Sequence, residues 1–429
     1  MLTGQYRRIY YYHLKKCGGS TLNQWLDTLT FDGRHDNPQW MGSWLFGEPE
    51  VETRAEEAAR EKASARAVFQ RTDIVHSHAP LRPYVPARTF SFTMLREPVA
   101  RLVSQTLDWR RLQPHDTIDN PAHVRACVED CRRLPLRDFL LRHAFDDGRM
   151  FLNNYLTRAL AAGRIGRLAI DVVDAARLLD IALQSLELDY DFIGLTEQHD
   201  LCRNVVCSMV GLPAARTVPV VNDSLPAEKS AHDVQEAADV LQALTGADQV
   251  LYERACTLFA RRHQAAGLAY DDAAFEAKHA TALLSELRGR YDRCSTRFSV
   301  RDPLIGAGFH GRDGAGTADC AVWTGPDCRA TLYFPTPPDM PVSVLVWIRG
   351  YAAPWQREQL RVWINGKPVA HRFEQEPGYA DLLVTDAYAE GEFTRLDLAV
   401  NETVGSGTAG TDLYDPRKRG IAFDGYGWR

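Results

Sequence analysis

The first two thirds of the chain alternate short apolar runs with longer segments whose apolar positions recur every three or four residues. The short runs have the length and residue types of buried strands and lie at Ile9–His13, Ile74–His76, Phe90–Leu95 and Phe192–Leu195. Helical spacing follows at Ser20–Thr30, Glu48–Ala67, Pro98–Arg110, Val172–Leu186 and Ala231–Ala260. This alternation predicts an α/β fold in which helices flank a parallel sheet.

The pattern changes after about Phe298, where clusters of Gly and Pro separate short runs of strand-forming residues. The clearest runs are "RATLYFP", "VSVLVWIRGY", "LRVWINGKPVAHRF", "LLVTDAY" and "RLDLAV". Asn365-Gly366 lies between two alternating runs, which is the pattern of a two-residue hairpin turn. Several short strands at this spacing predict an all-β sandwich or jelly roll.

These two patterns predict two domains. We expect an α/β domain over residues 1–270, a helical connector over residues 271–295, where Asp271–Arg290 has helical spacing, and a β-sandwich over residues 296–429. A chain of 429 residues, 45% of them hydrophobic, is long enough to bury a core in each domain.

Charge and composition exclude several classes of protein. A net charge of −6 disfavours a general nucleic-acid binder, which needs a surplus of Lys and Arg. No apolar run approaches the roughly 18 residues of a membrane helix, so we expect no transmembrane segment. The nine cysteines are odd in number and scattered, which favours reduced thiols in a cytoplasmic protein, and their spacing gives no zinc motif. The sequence says nothing about the oligomeric state.

The stretch "HLKKCGGSTL" (His13–Leu22) joins the first apolar run to the first helix. A strand that passes through a glycine turn into a helix presents unpaired N–H groups and the positive end of the helix dipole to an anion. Phosphate or sulfate is the expected anion, and a merely tight turn is the alternative. The order differs from that of the ATPase loop, because Lys16 is separated from the hydroxyl residue Ser20.

The same order resembles the loop of sulfotransferases that use 3′-phosphoadenosine 5′-phosphosulfate (PAPS). It is most similar to the carbohydrate branch related to heparan-sulfate 2-O-sulfotransferase, whose loop has the form H-I-P-K-T-A-G-T-S-L. The positions in step with that form, with Ser and Thr exchanged, are Lys16, Gly19, Ser20, Thr21 and Leu22. Lys15 stands in place of the proline and Cys17 in place of the threonine.

The resemblance implies that this P-loop-like turn holds the 5′-phosphosulfate of PAPS. The residues implied in this binding are Lys15, Lys16, Cys17, Gly18, Gly19, Ser20 and Thr21. Lys16 is further implied in catalysis, where it would neutralise the charge that develops on the departing phosphate.

A second stretch, "FSFTMLREPVARLVSQTLDW" (Phe90–Trp109), resembles the 3′-phosphate motif of the same family. Arg96 and Ser104 occupy the positions that bind the 3′-phosphate there. Arginine offers a planar fork of donors to a phosphate, and Pro98 suits the first turn of a helix. The alternative is that Arg96 caps the sheet and Ser104 is a surface hydroxyl.

Between the two motifs, "DIVHSHAPLRPY" (Asp73–Tyr84) lies where the family carries its catalytic histidine. His78, followed by Ala79-Pro80, matches best and is the predicted general base, with His76 as a second participant. A histidine suits this role because its ordinary pKa leaves a neutral base available at physiological pH.

Further motifs extend the resemblance over about residues 8–265. They are "YDFIGLTEQHDLCRNVVCSMVGLP" (Tyr190–Pro213), "VNDS" (Val221–Ser224) and "DQVLYERA" (Asp248–Ala255). In the last third, "DPRKRGIAFDGYGW" (Asp415–Trp428) is loosely similar to the final strands of galactose-binding-like jelly rolls found beside bacterial glycan enzymes. Five tryptophans of this part belong either to its core, which we favour, or to a sugar-stacking surface: Trp323, Trp347, Trp355, Trp363 and Trp428.

The resemblance implies a PAPS-dependent sulfotransferase that needs no metal. The sulfuryl group would pass in line to an acceptor hydroxyl, and 3′-phosphoadenosine 5′-phosphate (PAP) would be the product. A glycan or glycolipid acceptor is favoured, and small-molecule, lipid and tyrosine acceptors stay open. One alternative is a nucleotide kinase or NTPase, which would need a Walker lysine and a Mg²⁺-binding Asp. The other is a catalytically inactive glycan-binding protein.

Overall fold

The computed structural model describes residues 6–19, 22–23, 26, 39–41, 54–70, 74–112, 122–146, 149–166, 169–211, 233–268, 296–301, 306–313, 319–325, 327–336, 343–388, 393–406 and 415–429. Several predicted features lie outside these ranges. They are the helix over Asp271–Arg290, the loop Val221–Ser224, the side chains of Ser20 and Thr21, and most of the helix over Ser20–Thr30.

The N-terminal region is built on a parallel sheet with the strand order β2-β3-β1-β4-β5. Its strands are β1 (Arg8–Tyr12), β2 (Gln39–Met41), β3 (Ile74–Ser77), β4 (Thr89–Leu95) and β5 (Phe192–Leu195). In the central register, Tyr11 pairs with His76 on one side and Phe92 on the other. Every residue of β3, β4 and β5 is buried, as expected for strands covered on both faces. The predicted parallel sheet with flanking helices is confirmed.

The helices of this region bury one core against the sheet. They are α1 (Arg54–Phe69), α2 (Pro98–Arg111), α3 (Ala122–Arg133), α4 (Leu136–His143), α5 (Arg149–Leu152), α6 (Tyr155–Ile165), α7 (Ala175–Leu188), α8 (His199–Val210), α9 (Ala238–Arg262) and α10 (Gln264–Leu268). Helix α7 begins later than the predicted Val172, because the side chain of Asp174 accepts a hydrogen bond from the Arg177 N–H (3.0 Å) and caps the first turn.

The C-terminal region consists of antiparallel strands, as predicted. One sheet has the order β14-β15-β11-β19-β9-β8 with β6 paired to β19, a second has the order β13-β12-β16-β10-β7, and β17 pairs with β18. The elements are β6 (Arg297–Ser299), β7 (Gly306–Ala307), β8 (Phe309–Asp313), β9 (Ala321–Thr324), β10 (Arg329–Pro335), β11 (Ser343–Tyr351), α11 (Gln356–Gln359), β12 (Arg361–Ile364), β13 (Lys367–Val369), β14 (His371–Glu374), β15 (Asp381–Tyr388), β16 (Phe393–Ala399), β17 (Val404–Ser406), β18 (Asp415–Arg419) and β19 (Ile421–Trp428).

The predicted hairpin at Asn365-Gly366 is confirmed. Ile364 of β12 pairs with Lys367 of β13, and both turn residues have positive φ, at 52° and 78°. A two-residue turn of this kind requires positive φ at both positions, which Asn and Gly adopt at least cost.

The clusters of buried apolar side chains among the described residues are separate in the two regions. The N-terminal cluster extends from Ile9 to Phe259. The C-terminal region has a large cluster from Phe298 to Trp428 and a small one of Leu345, Trp347, Leu382 and Val384. None of the helices in the described part of the chain is long and apolar enough to cross a membrane.

The C-terminal tryptophans divide between core and surface. Trp428 and Trp347 are buried, whereas Trp323, Trp355 and Trp363 are half-buried. An arginine guanidinium lies over three of the rings, at 4.5 Å for Arg419 on Trp323, 4.2 Å for Arg297 on Trp347 and 4.8 Å for Arg329 on Trp363. The expected core position is therefore confirmed for Trp428 and Trp347.

Candidate functional site

The candidate site residues lie at the carboxyl edge of the parallel sheet. The loop of Lys15 and Lys16 follows β1, His78 follows β3, Arg96 follows β4 and Glu197 follows β5. Because these strands are parallel and adjacent, their ends bring four distant parts of the sequence to one edge. This is the edge at which open α/β sheets bind ligands.

The loop after β1 has an unusual backbone. Lys16 and Gly18 both have positive φ, at 64° and 73°, and a residue with a Cβ adopts this conformation only at a cost in free energy. Helical geometry begins at Gly19, and the Leu22 N–H reaches the Gly18 carbonyl at 3.5 Å. The predicted passage from strand through turn to helix is therefore present.

Hydrogen bonds hold this loop from several sides. The Lys15 N–H donates to the Tyr155 hydroxyl (2.9 Å), and Arg101 Nε donates to the Lys15 carbonyl (3.2 Å). Arg96 donates to the Lys16 carbonyl at 3.4 Å. These contacts fix the peptide groups around Lys16 and so stabilise its left-handed conformation.

The two lysine side chains have different surroundings. Lys16 Nζ forms an ion pair with Asp108 at 2.8 Å, and both side chains are partly exposed. Lys15 is more enclosed, with Nζ 5.8 Å from the centre of the Phe151 ring. Burial lowers the pKa of Lys15 to about 8, and the nearby Arg101 and Lys16 charges act in the same direction while Asp108 opposes them.

Cys17 is enclosed by the protein. Its side chain is fully buried, and burial raises the pKa of the thiol to about 12. Its N–H donates to the Leu14 carbonyl (3.3 Å), and its thiol donates to the Lys15 carbonyl (3.7 Å). Both the N–H and the thiol therefore form contacts within the protein. The sequence predicts Cys17 as a nucleotide contact, and that assignment stays a prediction.

A buried histidine, His13, lies directly against the start of the loop helix. A Cβ on Gly19 would be 1.7 Å from His13 Nε2, so only glycine leaves room for this ring. His13 Nδ1 is 3.2 Å from Asn23 Nδ2. Burial lowers the pKa of His13 well below its ordinary value, and the neighbouring His78 adds to this effect.

His78 is held against His13. Its Nδ1 lies 2.5 Å from the His13 carbonyl oxygen, and the two rings are 4.5 Å apart. Because a carbonyl oxygen only accepts, Nδ1 carries the proton and Nε2 is the basic nitrogen. Burial, followed by the charge of Lys15, lowers the pKa of His78 to about 3, so the ring is neutral at physiological pH. His76 is also buried, within β3 and in register with Tyr11.

Arg96 and Ser104 lie on either side of a helix start. Arg96 is half-buried at the end of β4, and Pro98 begins α2. The carboxylate of Glu97 accepts hydrogen bonds from the Val99 and Ala100 N–H groups, at 3.1 and 2.6 Å. Ser104 is half-buried on α2.

Sequence reasoning missed the residues that support the loop. Arg101 is almost completely buried, and besides Lys15 it donates to the Phe151 carbonyl (2.5 Å) and to Gln105 Oε1 (3.2 Å). Its guanidinium lies 3.9 Å from the centre of the Tyr155 ring. A signal was present, because Arg101 and Gln105 are one turn apart on the apolar face that contains Leu102.

The described residues contain no group of three or more His, Cys, Asp or Glu side chains placed to hold a metal ion. The site instead brings together the basic side chains of Lys15, Lys16 and Arg96, although Asp108 and Glu197 lie beside them. This donor set suits a ligand with several negative charges, and the loop with its helix start suits a phosphate or sulfate group.

Comparison with known proteins gives one informative match. The model of the sulfotransferase family matches residues 1–254. No curated protein matches the chain.

Two solved structures show only slight likeness. The chain is 12% identical to beta-glucuronidase from Faecalibacterium prausnitzii, with a TM-score of 0.15, and the match covers 32% of each chain, about a third of that enzyme's length. It is 9% identical to endo-glycoceramidase II from Rhodococcus sp., in complex with a cellobiose-like imidazole, over 92% of this chain and 97% of that one, with a TM-score of 0.17. TM-scores this low support no conclusion about fold or function.

Proposed function

Since the chain belongs to the sulfotransferase family, we propose that it transfers a sulfuryl group from PAPS to a hydroxyl of a carbohydrate or glycolipid acceptor and releases PAP. The supporting observation is the meeting of Lys16, His78 and Arg96 at one edge of the sheet, within the residues that match the family. These side chains supply a cation for a leaving group, a neutral base and a forked donor for a phosphate.

The 5′-phosphosulfate fits the loop after β1. Gly18 and Gly19 allow close approach of the backbone, and the loop is followed by a helix start. Lys15 and Lys16 add two positive charges. Ser20 and Thr21, whose side chains lie outside the described residues, stay predicted contacts from the sequence.

The 3′-phosphate fits the end of β4, where Arg96 and Ser104 are the proposed contacts. Arg96 also donates to the Lys16 carbonyl (3.4 Å), so this side chain borders the loop. The 3′ and 5′ groups of one nucleotide would therefore be held at the ends of the adjacent strands β1 and β4.

His78 is the proposed general base. Its Nδ1 proton is directed to the His13 carbonyl, which leaves Nε2 to take the proton of the acceptor hydroxyl. A pKa of about 3 makes His78 a weak base in the free protein. The negative charge of the bound donor would raise that pKa and stabilise the protonated ring. His76 is proposed as a second participant.

Lys16 is the proposed partner of the departing phosphate. Its ion pair with Asp108 (2.8 Å) would exchange for the more strongly charged donor, and the partly exposed Asp108 would turn to solvent. Lysine and arginine then provide the positive charge of the mechanism, with no step assigned to a metal.

We further propose two domains, the α/β domain over residues 1–270 and the β-sandwich over residues 296–429 joined by residues 271–295, and assign acceptor selection to the β-sandwich. The arginines over Trp323 and Trp363 occupy ring faces that a sugar would need. Sugar stacking at these two rings would therefore require the arginines to move.

The test of the proposed function is transfer of ³⁵S from labelled PAPS to extracts fractionated into glycans, glycolipids, proteins and small molecules. Label in the glycan or glycolipid fraction, formed equally in EDTA, is the expected result. Mg²⁺-dependent binding of ATP with affinity equal to that for PAP would instead support a nucleotide kinase or NTPase. Glycan binding without label transfer would support an inactive glycan-binding protein.

Loss of the positive charge of Lys15 is expected to lower the activity at alkaline pH. Its ammonium is charged below a pKa of about 8 and neutral above it, so attraction for the anionic donor is lost as the pH rises through that value. We expect kcat/KM for PAPS to fall above about pH 8 in the wild type, and the fall to vanish in Lys15→Arg, whose guanidinium stays charged. An identical fall in Lys15→Arg would show that another group titrates.

A further inference from the structure

Helix α9 contributes two polar side chains that are linked to different parts of the site, the loop of Lys15 and Lys16 and the segment that carries Arg96. Asp248 and Tyr252 are four residues apart and so lie on the same face of the helix, one turn from each other. We propose that they are positioning residues, Asp248 for the loop of Lys15 and Lys16, and Tyr252 for the segment that carries Arg96. The proposal rests on the proposed function, in which these two places bind the two ends of a nucleotide.

Asp248 fixes the start of α6. Its carboxylate is buried and accepts hydrogen bonds from the Leu156 N–H (3.0 Å), the Thr157 N–H (2.8 Å) and the Thr157 hydroxyl (2.8 Å). A carboxylate at the first turn satisfies N–H groups that have no partner within the helix and opposes the positive end of the dipole. Asn154, in the left-handed conformation, accepts hydrogen bonds from the Ala247 and Asp248 N–H groups.

The start of α6 is also the support of the loop. Tyr155 is the first residue of that helix, and its hydroxyl accepts the hydrogen bond of the Lys15 N–H at 2.9 Å. The ring of Tyr155 packs against Arg101, which donates to the carbonyl of the same Lys15. The Lys15 N–H is therefore bonded to Tyr155, and the side chain that bonds the Lys15 carbonyl packs on the same ring. Asp248 holds the helix end to which Tyr155 belongs.

Tyr252 is connected by hydrogen bonds to the segment that carries Arg96, through one intermediate side chain. Its hydroxyl donates to Glu197 Oε2 at 2.8 Å, and Glu197 Oε1 accepts the Glu97 N–H at 2.8 Å. Glu97 is the residue after Arg96 and also caps α2 through its own carboxylate. Tyr252 therefore fixes the backbone from which Arg96 projects.

The experiment measures affinity for PAP and for AMP, two nucleotides that differ only in the 3′-phosphate. Tyr252→Phe removes one hydroxyl, and we expect it to weaken PAP binding by about 3–10-fold and leave AMP binding unchanged. Tyr155→Phe removes the acceptor of the Lys15 N–H, and we expect it to weaken both nucleotides by a similar factor and to lower kcat.

The matched control is Glu253→Gln, an exposed position next to Tyr252 on α9 whose carboxylate accepts from Gln249 (3.2 Å). It should change neither affinity. If Tyr252→Phe weakened the binding of PAP and AMP equally, or changed neither affinity, the assignment of Tyr252 to the 3′ side would be wrong. If the wild-type protein bound no PAP, the proposed function itself would fail, which is a different outcome.

A purely structural role predicts another pattern. Loss of packing would lower the unfolding temperature and both affinities together, without changing the ratio of PAP to AMP affinity. The ratio of PAP to AMP affinity in Tyr252→Phe therefore separates positioning from general stability. An unchanged ratio in a variant with a lowered unfolding temperature would overturn the proposal for Tyr252.

Discussion

Replacing His78 by alanine is expected to lower kcat by about 10²–10⁴-fold, which is the usual contribution of a general base. The affinity for PAP should stay close to that of the wild type, because the proposed phosphate contacts come from the loop and from Arg96. Steady-state kinetics with labelled PAPS, together with calorimetry of PAP binding, measure the two effects separately. Partial recovery of kcat by added imidazole would identify the missing group as a base.

His76→Ala is the comparison variant for this experiment. His76 is buried two residues earlier in the same segment and is the second participant that the sequence predicts. We expect a smaller loss of turnover than for His78, because the Nδ1 of His78 has the carbonyl contact that leaves Nε2 unprotonated. An inactive His76→Ala variant beside a nearly normal His78→Ala variant would reverse the assignment within the pair.

The elements that the sequence predicts well are those whose information is local. Strands such as Phe192–Leu195 are continuous apolar runs, and the Asn365-Gly366 turn carries its own conformational preference. The short helices α3 to α6 were not predicted. Their boundaries depend on distant partners, as at α6, where the cap is supplied by Asp248 from a helix over ninety residues away.

The sequence predicts the side chains proposed for binding and catalysis, but not the residues that position them. Motif resemblance placed Lys16, His78 and Arg96 in the sequence, and the parallel register explains why they meet. No local pattern links Tyr155 to Lys15 or Tyr252 to Glu197, because these hydrogen bonds join residues 140 and 55 positions apart. The positioning residues can therefore be identified only from the fold, whereas sequence motifs identify the side chains proposed for binding and catalysis.

The second large effect is expected at Arg96. Charge-assisted hydrogen bonds contribute about 1.5–3 kcal/mol each, so Arg96→Ala should weaken PAP binding by about 10–100-fold. AMP lacks the 3′-phosphate and should be affected far less. Arg96→Lys keeps the charge but loses the fork of donors, and we expect an intermediate loss of PAP affinity.

Arg88→Ala is the matched control for Arg96→Ala, since it removes the same charge next to the opposite end of β4. Its PAP affinity should equal that of the wild type, which would exclude a general effect of net charge. Arg96 also donates to the Lys16 carbonyl, so its removal could disturb the loop as well as the 3′ site. Equal losses for PAP and AMP in Arg96→Ala would show that Arg96 acts by supporting the loop, and the 3′-phosphate would then need another partner.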